Sequence, residues 1–202
     1  MTVDTTRMHG QRVLEPYINA YRFEALTGLR PGEVIAARWD WLKDSTLYIR
    51  GAINQWAEHT QGKNDNARRV YRLPVLAQEV LDGQRRLLEA QAIRSPYIFP
   101  NEIGMPILQA TYYSRWVRYR DSNGLTQGTT PYGLRHTFFS ACKPIPKPLL
   151  DPVAGHSPAM DTFGVYGHEM DGDLQYVADE IDGIFSRILA SEQDVAPKMA
   201  PE

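Results

Sequence analysis

The sequence predicts a mainly α-helical α+β fold with one small antiparallel β-sheet near residues 41–75. Three observations carry this expectation. Apolar residues recur at helical spacing through most of the chain. Short runs rich in β-branched and aromatic residues cluster in the 41–75 window, around a polar turn. A chain of 202 residues, 43% hydrophobic and 23% charged, has enough apolar material for a packed core.

Taken in order, residues 1–13 read as a disordered leader, because the first ten are mostly polar. From Val13 the spacing turns helical, with Leu14, Ile18, Tyr21 and Ala25 at i, i+4, i+7 and i+11. Gly28 closes that helix, and Pro31 suits the first turn of the next, at about 31–38. Leu47-Tyr48-Ile49 and Val70-Tyr71-Arg72-Leu73 read as strands. The polar stretch Glu58–Arg69, with Gly62, Asn64, Asp65 and Asn66, reads as a turn between extended segments.

Helices are predicted again at about 76–92, from the stripe Val80, Leu81, Leu87 and Leu88, and at about 108–121, where Tyr112, Trp116 and Tyr119 share a face. Pro131 opens another, carrying Leu134, Phe138 and Ala141. The segment KPIPKPLLDP is too rich in proline for a continuous helix. A last amphipathic helix, about 173–190, presents Leu174, Val177, Ile181, Ile184 and Ile188. No repeat or linker divides the chain, so 14–190 reads as one domain and 191–202 as a disordered acidic tail.

The composition excludes several classes of function. No apolar run approaches the roughly 20 residues that span a bilayer, and the start MTVDTTRMHG lacks the apolar stretch of a signal peptide. The one cysteine, Cys142, leaves no intramolecular disulfide and no cysteine-rich zinc site. Asp171-Gly172-Asp173 is too short for a calcium loop, and the histidines at 9, 59, 136, 156 and 168 show no zinc-protease pattern. His136 reads as a buried structural residue and Tyr176 as core. The chain therefore reads as soluble and cytoplasmic, with no membrane partner. Its net charge of −2 hides a split: 20 Lys and Arg against 13 Asp and Glu in residues 1–150, then 2 against 11 in residues 151–202. A basic body with an acidic end suits a polyanion bound on the body.

Three stretches stand out together: TGLRPGE at 27–33, TPYGLRHTFFS at 130–140 and AGHSPAMDTFGVYGH at 154–168. In this order they resemble the catalytic domain of the tyrosine recombinases, the phage integrase family, over roughly residues 14–190. The resemblance implies an integrase-type catalytic fold of bacterial or phage origin. Position by position, Arg30 and Arg135 match the family's two arginines, His156 the histidine of its G-H-S motif, and Tyr166 its nucleophile. Lys63, the only lysine between Lys43 and Lys143, matches the lysine on the family's β-hairpin. Tyr132 stands where the family usually has histidine. A phenol with a pKa near 10 can hold a phosphate oxygen but is a poor proton acceptor at neutral pH.

What the resemblance implies is site-specific breakage and rejoining of DNA through a covalent 3′-phosphotyrosyl link, which requires neither a metal nor any cofactor. Forked guanidiniums suit the non-bridging phosphate oxygens, and the start of the 31–38 helix adds backbone N–H groups that favour an anion. The cationic surroundings favour phenolate at Tyr166, and Lys63 protonates the departing 5′-oxygen. The partners implied are double-stranded DNA at an attachment or recombination site and, on that DNA, a homotetramer of a chain that is monomeric in isolation. Only about 13 residues precede the first helix, where the family carries a core-binding domain. The chain thus reads as a catalytic-domain fragment or truncated relative with weak affinity of its own for DNA. Two other readings stand beside this one: a module of the same fold that binds DNA without cutting, and a type IB topoisomerase-like enzyme that nicks and reseals.

Overall fold

The computed structural model describes residues 3–60, 69–155 and 171–195. It opens with a hairpin, β1 (Thr5–Met8) paired antiparallel with β2 (Gln11–Leu14), where a disordered leader was expected. His9 and Gly10 form its two-residue turn, and both have the positive φ that such turns favour. Polar composition misled the reading because this hairpin is held mainly by hydrogen bonds. Arg7 N–H donates to Ser122 Oγ at 3.0 Å, Asn123 Nδ2 to Thr5 O at 3.0 Å and Tyr119 O–H to Val3 O at 2.7 Å.

The first helix, α1 (Ile18–Thr27), starts five residues later than Val13 because β2 takes the chain to Leu14. It is buried on nearly every side, as a central helix is. Its Tyr21 ring packs 4.9, 5.0 and 5.9 Å from those of Tyr112, Trp116 and Tyr119. Gly28 ends it at φ 63°, and a Cβ there would lie 2.3 Å from Phe138 Cδ1, so only glycine fits. Then comes α2 (Pro31–Ala36), buried throughout with proline in its first turn.

After a 3-10 turn at Trp39–Trp41, β3 (Leu42–Lys43), β4 (Thr46–Ile49) and β7 (Arg69–Arg72) form an antiparallel sheet in the order β3-β4-β7. Leu47 faces Tyr71 across it, and both are buried. Between β4 and β7, β5 (Ala52–Ile53) and β6 (His59–Thr60) make a separate hairpin. The 41–75 window therefore holds two small sheets where one was expected.

The remaining helices are α3 (Val75–Ala90), α4 (Gln109–Ser122), α5 (Pro131–Ala141), α6 (Lys147–Ala154) and α7 (Asp171–Val195). The α6 helix occupies part of the proline-rich stretch judged unfit for a continuous helix. Pro146 precedes it and Pro148 lies in its first turn, where no N–H is needed, so only Pro152 costs an internal bond. The α7 helix runs to Val195, so 191–195 are helical and not a disordered tail. It lies on β7, α3 and α6 of its own chain. Val177, Ile181 and Ile184 are buried in the common core, while Ile188 is exposed. Phe185 stacks on Phe138 at 5.9 Å. The Asp182 carboxylate accepts from Val75 N–H at 2.5 Å and Leu76 N–H at 2.9 Å, capping α3, whose own N-cap residue is Pro74.

Candidate active site

The ends of α1 and α6 are both bonded to one side chain of α5, that of Arg135. Arg135 lies on α5 with only 4% of its surface exposed. Its Nη1 donates to Gly28 O at 2.6 Å and its Nη2 to Ala154 O at 2.7 Å, while its guanidinium lies 4.8 Å from the Phe139 ring centroid. One side chain thus joins the T-G-L-R segment, the Y-G-L-R-H segment and the A-G-H segment by direct hydrogen bonds. Burial, then the neighbouring Arg30 charge, lowers the Arg135 pKa to about 10, which still leaves it a cation at neutral pH.

Arg30 is the residue before α2, and its side chain is 37% exposed. Glu33 reaches back to it, accepting from Arg30 N–H at 2.9 Å and Nη1 at 3.1 Å. The anion at the start of α2 is therefore this carboxylate. A third guanidinium faces it: Arg69, at the start of β7, donates from Nη1 and Nη2 to the two Glu33 oxygens at 2.8 and 2.9 Å. Its Nε donates to Val153 O at 3.0 Å. Burial alone would raise the Glu33 carboxyl, but the Arg69 hydrogen bonds and charge, with Arg30 N–H, hold it below its ordinary range.

Gly155 closes the cluster at φ 63°, where a Cβ would lie 2.8 Å from Arg69 Nη1 and 3.3 Å from Arg30 Nη1. Glu24, buried nearby, is pushed well above the ordinary carboxylate range by burial, against the hydrogen bond from Tyr112 O–H at 2.8 Å. Among the described residues, three guanidiniums, those of Arg30, Arg69 and Arg135, gather here around the Glu33 carboxylate. That surplus of positive charge suits a phosphodiester.

Of the six residues singled out in the sequence, the structure brings Arg30 and Arg135 to this site. Tyr132 lies one turn before Arg135 on α5, exposed, its ring 5.1 Å from that of His136. Lys63, His156 and Tyr166 fall outside the described residues. His136 is exposed, not buried, because α5 turns the 132/136 face outward, and Tyr176 is likewise on the open face of α7. Arg69 escaped the sequence reading. It stands at the end of a polar stretch of sequence, next to a second arginine, and no local pattern marks it out. Among the described residues no group of His, Cys, Asp and Glu could hold a metal ion, and no helix is long and apolar enough to cross a membrane.

The phage integrase family model matches residues 17–171, three quarters of the chain. This chain belongs to the phage integrase family. An integrase of Streptomyces ambofaciens is 29% identical over 187 residues, covering 80% of this chain and 47% of that protein. The chain thus spans about half the length of that relative. Among solved structures, the Tn1549 transposon integrase in complex with transposon right-end DNA superposes with a TM-score of 0.60 at 17% identity, over 93% of this chain and 61% of that one. The lambda integrase catalytic core superposes with a TM-score of 0.53 at 20% identity, over 70% of this integrase-family chain and 83% of that one. At such identities the likeness is one of fold, and it agrees with the mainly helical α+β class read from the sequence.

Proposed function

We propose that this integrase-family chain breaks and rejoins DNA strands at a recombination site through a covalent 3′-phosphotyrosyl intermediate. The observation that carries the reading is Arg135, which ties the segments ending in Arg30 and preceding His156 into one cationic pocket. The substrate is double-stranded DNA. Support comes from the Tn1549 integrase, solved with transposon and circular-intermediate DNA, and from lambda integrase, solved as a dimer on a core site and a tetramer on a Holliday junction. By the same analogy the working assembly is a tetramer on DNA.

In this mechanism Arg30 holds a non-bridging oxygen of the scissile phosphate, with Arg135 adding positive charge and His156 a donor as negative charge builds up in the transition state. Tyr166 attacks phosphorus as the phenolate, its proton having passed to solvent, and the 5′-oxygen leaves with a proton from Lys63. Tyr132, exposed beside the pocket, donates its O–H to a phosphate oxygen. Attack by a 5′-hydroxyl from another strand reverses these steps and releases Tyr166. The route uses no cofactor, since the bond energy is stored in the phosphotyrosyl link.

The test is a library of duplexes nicked beside randomised sequence, so that a cleaved end diffuses away and the protein stays attached. The parent chain yields a gel-stable adduct and Tyr166→Phe yields none. Lys63→Ala cleaves ordinary DNA slowly but recovers when sulfur replaces the scissile 5′-oxygen, because a thiolate leaves unprotonated. Absence of any adduct from the parent chain refutes the proposal and leaves a module that binds without cutting.

A further inference from the structure

We propose that Arg69 is a positioning residue of this site, a buried clamp that holds Arg30, the root of the lysine-bearing segment and the approach to His156 in fixed register. The inference rests on the function proposed above and adds a residue that neither the sequence motifs nor the transferred mechanism includes. All three guanidinium nitrogens of Arg69 are committed: Nη1 and Nη2 to Glu33, and Nε to Val153 O. With its side chain 7% exposed, it is not placed to receive a phosphate itself. Its effect passes through its partners.

Those partners are the elements that carry the chemistry. Glu33 is shared: the oxygens that receive Arg69 also receive Arg30 N–H and Nη1, so the Arg69 fork fixes the carboxylate that aims Arg30. Val153 lies three residues before His156, and Arg69 itself lies six residues after Lys63. Gly155 packs against the fork so closely that a Cβ would stand 3.1 Å from Arg69 Cζ. The clamp therefore fills its space and has little freedom to re-form elsewhere. A lysine cannot reproduce it. Its single nitrogen ends about where Cζ sits, without a planar fork for the carboxylate and without an Nε for Val153 O. Small misplacements at a reacting centre cost rate steeply, about 100-fold for roughly 1 Å.

The experiment compares the parent chain with Arg69→Lys on the duplex recovered from the nicked library, under single-turnover conditions well below the melting temperature. Arg69→Lys should slow covalent attachment by about tenfold or more, while the final fraction of attached protein and the affinity for intact duplex stay as in the parent. A rate within about twofold of the parent overturns the proposal. So does a fall in the attached fraction at an unchanged rate constant, which marks a residue needed only for folding. If Arg69→Lys does not fold, Glu33→Gln takes its place with the same expected loss of rate and the same refuting results. It keeps one oxygen for Arg69 and removes the other.

Amide exchange separates this proposal from the function it rests on. The amides of Glu33 and Val34, bonded to Arg30 O, and of Gly155, bonded to Pro152 O, should exchange faster in Arg69→Lys than in the parent. The Tyr112 amide, bonded to Leu108 O, should not. A parent chain that forms no adduct refutes the recombinase reading alone. Exchange that is unchanged, or raised everywhere equally, refutes the clamp whatever the activity.

Discussion

Replacing Arg135 by lysine keeps the charge and removes the geometry. The lysine nitrogen stops about one bond short of both Gly28 O and Ala154 O, which now accept from Nη1 and Nη2 at 2.6 and 2.7 Å. It can approach one carbonyl only by leaving the other. The loss is one charge-assisted hydrogen bond, about 1.5–3 kcal/mol, plus the contact with Phe139, about 0.5–1 kcal/mol. The buried ammonium is also more strongly hydrated in the unfolded chain than a guanidinium, which acts in the same direction. The total is about 3 kcal/mol. For a chain of this size each kcal/mol moves the melting temperature by roughly 2–4 °C, so the transition should fall by about 6–12 °C. Circular dichroism at 222 nm followed on heating reads the shift directly. A fall of less than about 2 °C would mean that the two carbonyls find other donors, and that Arg135 does not hold the three segments together.

Two further outcomes follow from the core. Burial raises the folded-state pKa of Glu24, so the stability it contributes is full below the unfolded value of 4.5 and is lost as pH rises through the folded one. Glu24→Gln removes that slope, and its urea midpoint should gain on the parent's between pH 5 and pH 8; parallel midpoints would refute the assignment. Ile181→Ala, at a fully buried position of α7, should cost about 2–5 kcal/mol in dilute solution, independently of protein concentration. A cost that grows on dilution would place this face against a second chain.

The helices were legible where one face is apolar over several turns. The stripe of Tyr112, Trp116 and Tyr119 gave α4 within a residue of its ends, and Pro131 gave the start of α5. The hairpin at Thr5–Leu14 was not legible, since its strands bury little apolar surface and its partners Ser122 and Asn123 lie over 100 residues away. The outward face of α5 was misread for a related reason: a single histidine beside a core arginine carries no information about which side of the helix it takes. At the site, Arg30 and Arg135 could be found from short local motifs. Arg69 could not, because what marks it is its distance from Glu33 and Val153, a property of the fold and not of the residues around it.

The acceptors that anchor Arg135 are main-chain oxygens at positions 28 and 154. No side-chain replacement at either place can delete them, so mutational drift there is limited by space and, at Gly28, by the positive φ of 63° as well. In an alignment of relatives, position 135 should accordingly show no covariation with 28 or 154, though the contacts are direct. The pair at 33 and 69, joined by charged side chains, should change together or not at all. Inference of contacts from sequence covariation would then find the buried ion pair and overlook the bonds that bring the three motifs together.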